Sequence, residues 1–266
     1  MRTIGFIGVG NMAGAIIGGM ISSHSEDRIL AYNPHTEKIL AFGGKVVAAK
    51  DNLQVARESD LIFLAIKPQM FSSVLDELRP IAKELRGKTL VTMAAGISIA
   101  AIQKALGEPD LSVIRIMPNT PMLLGCGAIG LAASPQVSSS QKDEVIALLA
   151  VCGRVVCLPE EQINTVTAVS GSSPAYLFLM AKTVCDYAQQ AGMPKEDALT
   201  LFAQTLAGSA RMLTETGKTP DELIAQVTSP GGTTLAALEV LHSEGFCDSL
   251  SHAMAACQKR AEELGR

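Results

Sequence analysis

The stretch IGFIGVGNMAG, residues 4–14, decides the fold of this chain. An apolar run with strand character leads into Gly8-x-Gly10-x-x-Ala13, and a helix-like run follows at once. Glycines in this context permit a tight turn and let the backbone approach a pyrophosphate that rests on the amides of a helix N-terminus. We therefore predict a strand, a turn and a helix that bind a dinucleotide. A turn with a purely structural purpose is the alternative.

The same alternation continues to about residue 159. Short β-rich apolar runs alternate there with segments whose apolar spacing is helical. This order predicts a Rossmann-type α/β domain, with a doubly wound and mostly parallel sheet covered by helices on both faces. Its strands are expected at TIGFIG, RILAYN, KVVAA, DLIFLAI, TLVTMA, SVIRIM, AIGLAA and RVVCLP.

Beyond this point strand-like runs stop, and longer helical patterns take over. Prolines stand where a missing N–H costs least, at the expected starts of three helices: Pro174, Pro194 and Pro220. We place a dinucleotide-binding domain at residues 1–159 and an all-α domain at residues 160–266, where we also expect the substrate to bind.

Two of the expected helices are apolar around most of their circumference. They contain YLFLMAKTVC, residues 176–185, and LTLFAQTLAGSA, residues 199–210. Helices of this kind must be buried on several sides, and a small bundle cannot bury all of that surface internally. The sequence therefore predicts a homodimer or a larger homo-oligomer that packs through the helical domain.

Composition excludes several classes of protein. Hydrophobic residues make up 48% of the 266 residues, yet no apolar run approaches the roughly 20 residues of a membrane span. Without the pattern of a signal peptide, we expect a cytoplasmic protein. The net charge of −4, without a basic cluster, argues against nucleic acid and against an anionic membrane surface. Six cysteines without a C-x-x-C pair, beside four histidines, predict reduced and mostly buried thiols and no metal site.

The tip of the second strand bears on the choice of cofactor. An acidic residue usually accepts hydrogen bonds from the ribose of NAD at this position, but this chain has Asn33 within AYNPHTEK. An amide does not repel a 2′-phosphate, and His35 and Lys38 stand nearby. We therefore favour NADPH. Glu37 leaves NADH open as the alternative.

Three other expected strand ends border the same cleft. AIKPQ, residues 65–69, places Lys67 where a ribose or phosphate binds in doubly wound sheets, although a solvated lysine is the alternative. Small side chains in TMAAG, residues 92–96, would let a nicotinamide lie close to the backbone. IRIMPNTP, residues 114–121, predicts a rigid turn.

Two hydroxyl-rich segments lie in the helical half. Capping of the helix that is expected to begin at Pro174 would by itself explain the serines of VSGSSPAY, residues 169–176. TSPGGTT, residues 228–234, offers more groups than a cap needs, since consecutive N–H groups and hydroxyls stand together at a helix start. We predict that this loop binds a small ligand with a carboxylate. Because no hydrolase motif is present, hydride transfer is the reaction that suits such a site.

This chain resembles the pyrroline-5-carboxylate reductase family in five segments: IGFIGVGNMA, AIKPQ, MPNTP, SGSSPAY and PDELIAQVTSPGGTTLAALEVL. The similarity covers nearly the whole chain, and the last segment is the most specific. The resemblance implies NAD(P)H-dependent reduction of the C=N bond of 1-pyrroline-5-carboxylate to L-proline, the last step of proline biosynthesis. It also implies a Rossmann domain, and a helical domain that interlocks with a second subunit in dimers that assemble into a ring-like decamer.

The resemblance also assigns site residues. The family's cofactor contacts fall on Ile7, Gly8, Val9, Gly10, Asn11, Met12, Asn33, Asn52, Ala65, Ile66, Lys67, Pro68, Met93, Ala94 and Ala95. Its substrate loop falls on Ser229, Gly231, Gly232, Thr233 and Thr234, and Glu160 matches an acidic position near the family's active site. The catalytic group would be the Thr234 hydroxyl, hydrogen-bonded to the ring nitrogen, while the loop amides and Ser229 hold the carboxylate. This chain has Ser173 where the family often has glycine.

Two other functions remain alternatives. A β-hydroxyacid dehydrogenase shares the plan of a Rossmann domain followed by helices, and it would need a catalytic lysine in the first long helix of the second domain. Lys182 is the candidate. A non-catalytic dinucleotide sensor would keep the Gly8 turn but would have no use for residues 228–234.

Overall fold

The computed structural model describes residues 2–23 and 26–265. Within these residues eight strands form one sheet in the order β3-β2-β1-β4-β5-β6-β7-β8. The strands are β1 (Thr3–Ile7), β2 (Arg28–Tyr32), β3 (Val47–Ala48), β4 (Leu61–Leu64), β5 (Thr89–Thr92), β6 (Ser112–Met117), β7 (Gly127–Ala133) and β8 (Gly153–Cys157). Each of the strands expected from the sequence is present.

The sheet is mostly parallel, as predicted. The first six strands pair in parallel, so that the carboxyl ends of β1, β2, β4 and β5 lie along one edge. β7 runs antiparallel to β6, and β8 is parallel to β7. The short edge strand β3 spans only two residues of the predicted KVVAA.

Helices cover both faces of this sheet. They are α1 (Asn11–Ser22), α2 (Glu37–Leu40), α3 (Asn52–Glu58), α4 (Phe71–Leu78), α5 (Ile99–Leu106) and α6 (Ser139–Ala150). One core cluster joins α1 and α6 to residues such as Phe6, and the other joins α3, α4 and α5 to residues such as Ile7. Neighbours in β1 thus pack on opposite faces, as strand geometry requires.

One predicted helix is shorter than its pattern suggested. FSSVLDELRPIAKEL continues past Leu78 as a 3₁₀ helix at Arg79–Leu85, because Pro80 has no N–H to donate and its ring clashes with the preceding turn. The apolar period nevertheless holds, since Ile81, Ala82 and Leu85 are all buried.

The remaining helices follow β8. They are α7 (Ile163–Val166), α8 (Ser173–Gln190), α9 (Lys195–Glu215), α10 (Pro220–Val227), α11 (Thr233–Ser243) and α12 (Phe246–Leu264). A 3₁₀ turn at Glu160–Gln162 precedes α7, and a π-helical turn at Thr167–Gly171 joins α7 to α8. None of the helices in the described ranges has the length and apolar character needed to cross a membrane.

Two compact units divide the contacts of the chain. One comprises Met1–Pro174 with Cys257–Arg266, and the other comprises Ala175–Ala256. Residues 160–174 therefore count with the sheet in this division, and the boundary that we placed between residues 159 and 160 stays a prediction.

The second unit exposes large apolar side chains in the single chain. Four consecutive residues of α8 are exposed by 43%, 67%, 65% and 39%, from Leu177 to Met180. Exposure of this many consecutive large apolar side chains agrees with the prediction of a partner subunit.

The cysteines differ in part from expectation. All six are free thiols, but only Cys152 is buried, and Cys126, Cys157 and Cys247 are exposed in the single chain. The prediction of mostly buried thiols was wrong, because Cys157 lies on the edge strand β8 and Cys247 in the first turn of α12, where side chains face outward.

Candidate active site

A cleft of about 470 Å³ opens along the carboxyl ends of β1, β2 and β4. It is lined by Ile7, Gly8, Val9, Gly10, Tyr32, Asn33, Pro34, His35, Lys38, Asn52, Ala65, Ile66, Lys67, Met70 and Val74. Parallel sheets of this kind bind ligands at this edge, and the volume is typical of small-molecule sites. The cleft is therefore the candidate cofactor site.

The two glycines of the first turn differ in what they permit. Gly8 has φ +91°, and a Cβ on it would lie 2.6 Å from the Ala65 carbonyl oxygen. Gly10 has φ −92°, and a Cβ on it would meet nothing within 4 Å. Gly8 is thus required by the packing of two neighbouring strand ends, whereas Gly10 leaves open space above the turn.

The start of α1 fits a pyrophosphate. Gly10 occupies the N-cap position, and among the described residues no side chain caps the first turn, which also contains no acidic residue. The free amides and the positive end of the helix dipole therefore face outward without a competing carboxylate. Asn11 and Met12, two predicted cofactor contacts, are the first residues of this helix.

Asn33 lies in the cleft and uses both ends of its amide within the protein. Its Oδ1 accepts from the Val9 N–H at 3.0 Å, and its Nδ2 donates to the His35 carbonyl at 2.9 Å. Asn33 thereby ties the glycine turn to the turn that follows β2. The cations Lys38 and Lys67 line the cleft, with His35, whose ring nitrogen lies 3.4 Å from Glu37.

Nine of the fifteen predicted cofactor residues line this cleft in the described part of the chain. Asn52, one of them, is buried and donates to Glu77 Oε2 at 2.8 Å. The other six are Asn11, Met12, Pro68, Met93, Ala94 and Ala95. Their cofactor contacts stay predictions.

Sequence reasoning missed four lining residues, namely Tyr32, Pro34, Met70 and Val74. Tyr32 and Pro34 flank Asn33 at the strand tip, so their positions were available from the motif. Met70 and Val74 carry no chemical signal, and they reach the cleft only because the segment after AIKPQ turns back into α4.

Glu160 lies in the first unit, and its carboxylate is engaged there. Its Oε1 accepts from the Ile99 N–H at 2.8 Å and lies 3.3 Å from Arg115 Nη1. Arg115 also donates to Asn164 Oδ1 at 2.7 Å. Burial lowers the pKa of the Arg115 guanidinium, and the charge of Glu160 opposes that shift. A substrate contact for Glu160 stays a prediction.

The sequence could have indicated that Arg115 has a buried polar partner. A cation in the middle of the apolar strand SVIRIM must find a partner when it is buried. Its side chain is 4% exposed, and its Nε has no hydrogen-bond partner among the described residues.

Two serines of the SGSSPAY segment bond backwards along the chain. Ser170 Oγ donates to the Val166 carbonyl, and Ser173 Oγ donates to the carbonyls of Ala168 and Val169. The preceding residues form a π-helical turn, whose carbonyls accept from these two hydroxyls. Capping of α8 by a serine of this segment stays a prediction. Asn119 holds this turn by donating to the Ser170 carbonyl at 3.1 Å.

The TSPGGTT segment forms a turn that leads into α11. Gly232 donates its N–H to the Ser229 carbonyl at 2.9 Å, and Gly231 has φ +68°. Proline followed by a glycine with positive φ is the pattern of a type II turn. Ser229 and Thr233 are exposed, and Thr234 is half-buried.

The start of α11 is open in the same way as the start of α1. Gly232 is the N-cap, and within the described ranges no side chain caps the helix. The Thr234 hydroxyl likewise has no hydrogen-bond partner among the described residues. Free amides and an unused hydroxyl make this loop suitable for a carboxylate next to a second polar atom.

Lys182 does not resemble a catalytic lysine. Its side chain is 73% exposed, and Nζ pairs with Asp186 at 2.7 Å, one turn along α8. Hydrogen bonding to Asp186 raises the pKa of Lys182. A lysine that acts as an acid or base near neutral pH needs its pKa lowered, so the β-hydroxyacid dehydrogenase alternative loses its key residue.

Two family models match this chain. Residues 160–264 match a family described as pyrroline-5-carboxylate reductase dimerisation. Residues 3–96 match a family described as NADP oxidoreductase, coenzyme F420-dependent. The second match covers the glycine turn and all the lining residues of the cleft, and the first covers the TSPGGTT loop.

Relatives and solved structures agree with these matches. A pyrroline-5-carboxylate reductase of Escherichia coli is 36% identical over 269 residues, which span 100% of this chain and 99% of that protein. A structure of the Coxiella burnetii reductase superposes with a TM-score of 0.91 at 37% identity, covering 100% of this chain and 99% of that one. The Plasmodium falciparum enzyme, solved with NADP bound, has a TM-score of 0.89 at 26% identity, with 100% and 98% coverage. The chain therefore belongs to the pyrroline-5-carboxylate reductase family.

Proposed function

We propose that this protein reduces the C=N bond of 1-pyrroline-5-carboxylate with hydride from NADPH and so forms L-proline, the last step of proline biosynthesis. The observation that carries the proposal is the loop at residues 228–234. It presents the free amides of α11 and the unused hydroxyl of Thr234, while a separate cleft has the features of a dinucleotide site.

The first unit supplies the cofactor groove. The start of α1 holds the pyrophosphate through its free amides, and Asn33 keeps the glycine turn in place through its bond to Val9. Lys38 and Lys67 add positive charge to the cleft. Asn33 stands where NAD-binding folds usually have an acidic residue, and its neutral amide favours a cofactor with a 2′-phosphate. When bound, the reduced nicotinamide supplies the hydride.

The second unit supplies the substrate contacts. The amides at the start of α11 and the Ser229 hydroxyl bind the substrate carboxylate, as helix N-termini bind anions generally. The Thr234 hydroxyl forms a hydrogen bond with the ring nitrogen, which takes up a proton from solvent when the neighbouring carbon accepts the hydride. Gly231 and Gly232 allow the substrate to approach the backbone.

Turnover of purified protein tests the proposal. We expect oxidation of NADPH, followed by its absorbance, only when 1-pyrroline-5-carboxylate is added, with proline as the product. Initial rates with NADPH and NADH then measure the cofactor preference. Protein that binds NADPH but oxidises neither cofactor with this imine would be a dinucleotide sensor, and the proposal would be wrong.

The role of Thr234 has its own test. Thr234→Val keeps the shape of the side chain and removes the hydroxyl, so kcat/KM is expected to fall by roughly tenfold or more, the scale of one hydrogen bond to a reacting polar group. Thr214→Val is the control, because the Thr214 hydroxyl donates to the Ala210 carbonyl on an exposed part of α9. Unchanged kinetics in Thr234→Val would remove Thr234 from the mechanism.

The proposed enzyme acts as a homodimer that packs through its helical half. The exposed apolar side chains of α8 and the match to a dimerisation family support this assembly. We propose further that the dimers form a ring-like decamer and that the protein works in the cytoplasm. Light scattering on purified protein measures the oligomer, and fractionation of cells measures the location.

A further inference from the structure

The turn between β5 and α5 is tied at both ends to one ion pair. It leaves the sheet at Thr92, whose register partner in the neighbouring strand is Arg115. It enters α5 at Ile99, whose N–H donates to Glu160 at 2.8 Å. Because Glu160 and Arg115 pair with each other, the two ends of the turn are linked by a single contact between side chains.

This contact cannot be lost without cost. The Arg115 side chain is only 4% exposed, and the Glu160 side chain is 30% exposed. Removing the carboxylate would leave a buried guanidinium whose remaining polar partner, in the part of the chain that the structure describes, is Asn164. An unpaired buried charge is strongly unfavourable. The ion pair therefore anchors Glu160 at this place.

The Glu160 carboxylate also lies at a favourable place beside the N-terminus of α5. The Ser98 hydroxyl accepts from the Ala101 N–H and caps one amide of the helix, while Glu160 accepts from another, that of Ile99. A carboxylate near a helix N-terminus is stabilised by the helix dipole. The two acceptors together hold the start of α5 in place.

The opposite side of the turn is also packed. Gly96 has φ +81°, and a Cβ on it would lie 2.5 Å from the Ala261 carbonyl oxygen and 2.7 Å from the Gly265 nitrogen. The turn thus has packed backbone on one side and the anchored start of α5 at its end, so it has little freedom to move.

The turn follows the strand next to β4, whose carboxyl end lines the cofactor cleft. β5 lies beside β4, with Leu64 and Thr92 in register, so Met93 follows its strand where Ala65 follows the other. Ala65 and Met93 also pack against the same core cluster. Ala65 lines the cleft, and the register places the Met93–Ala95 turn at the same edge of the sheet.

We propose that Glu160 is a positioning residue for cofactor binding: through Ile99 and Arg115 it holds the Met93–Ala95 turn in the shape that receives the cofactor. This inference deepens the proposed function and rests on it for the identity of the cofactor. It assigns Glu160 to the cofactor side of the reaction and gives it no contact with the imine.

Binding of NADPH, measured by fluorescence titration without substrate, tests this role apart from turnover. Glu160→Ala removes both contacts, so the Kd for NADPH is expected to rise roughly tenfold, the scale of one lost hydrogen bond to a charged group. Glu160→Gln keeps an acceptor for Ile99 and is expected to restore most of the affinity, with a rise of about threefold or less. The KM for the imine, measured at saturating NADPH, is expected to stay at the wild-type value in both variants.

Glu161→Gln is the matched control, since Glu161 is the adjacent exposed acid and makes no contact among the described residues. A higher KM for the imine with an unchanged Kd for NADPH would show that Glu160 contacts the substrate, and the proposal would be wrong. A lower melting temperature with both constants unchanged would also overturn it. If Glu160→Ala does not fold, the Kd of Glu160→Gln decides. A wild-type protein that binds NADPH without reducing the imine would refute the proposed function and leave this test intact.

Discussion

The Asn33 side chain accepts a hydrogen bond from the Val9 N–H at 3.0 Å, across 24 residues of sequence. This bond joins the end of β2 to the glycine turn. In NAD-binding folds an acidic residue usually stands at the position of Asn33 and binds the ribose. One residue therefore holds the glycine turn and places an uncharged side chain where an acidic residue usually binds the ribose of NAD.

Asn33→Asp is expected to weaken the binding of NADPH more than the binding of NADH. The carboxylate still accepts from Val9, but it adds a negative charge where the 2′-phosphate of NADPH is expected. We expect the ratio of the two Kd values to shift toward NADH by roughly tenfold, about 1.4 kcal/mol. Fluorescence titration with both cofactors measures it. An equal loss of affinity for NADPH and NADH would place the 2′-phosphate elsewhere. Asn33→Ala is the control for loss of the bond to Val9.

Gly10→Ala is expected to lose cofactor affinity, whereas Gly8→Ala is expected to lose stability. Gly10 has room for a Cβ and an ordinary φ, so Gly10→Ala should keep its unfolding free energy within about 0.5 kcal/mol while its methyl group obstructs the cofactor. Gly8→Ala meets the Ala65 carbonyl at a positive φ, so it should lose about 1–3 kcal/mol of stability. Urea unfolding and NADPH titration measure the two effects. Full cofactor affinity in Gly10→Ala would place the pyrophosphate away from the start of α1.

Lys88→Met is expected to destabilise the protein without changing its kinetics. Lys88 Nζ donates to the carbonyls of Ala56, Arg57 and Ser59 at 2.6–2.9 Å and thereby caps the end of α3. Replacing the ammonium leaves these carbonyls without their charged donor, so unfolding should require about 1–3 kcal/mol less. Lys83→Met, at an exposed position, is the control. Wild-type stability in Lys88→Met would show that water replaces the ammonium at no cost.

Because two lysines bond to Asp186, the stability of the protein is expected to fall at acidic pH. Hydrogen bonds from Lys182 and Lys195 lower the pKa of Asp186 from 3.8 to about 2. Because the folded pKa lies below the unfolded one, the stabilisation is complete above pH 3.8 and is lost as the pH falls toward 2. The unfolding curves of wild type and Asp186→Asn should therefore differ near neutral pH and converge across this window. NMR titration of the Asp186 carboxyl should show its pKa rising in Lys195→Met, and an unchanged value would contradict the assignment to Lys195.

The sequence predicted the strands and their alternation with helices because hydrophobic periodicity is a local property. It located the glycine turn, the helix starts at Pro194 and Pro220, and the TSPGGTT loop for the same reason. The predictions that depended on distant neighbours were less complete. The serines near Ser173 bond backwards into a π-helical turn, which no periodic pattern announces.

The sequence by itself determined the class of fold, the position of the dinucleotide turn and the family. Only the tertiary structure decided which side chains use their polar groups within the protein: Asn33 on Val9, Lys88 on the end of α3, and Glu160 on Arg115, its partner 45 residues away. Propensity and periodicity act over a few residues and can be read along the chain. Pairing of charges and closure of turns depend on strand register, which brings Thr92 beside Arg115 only after the sheet has formed.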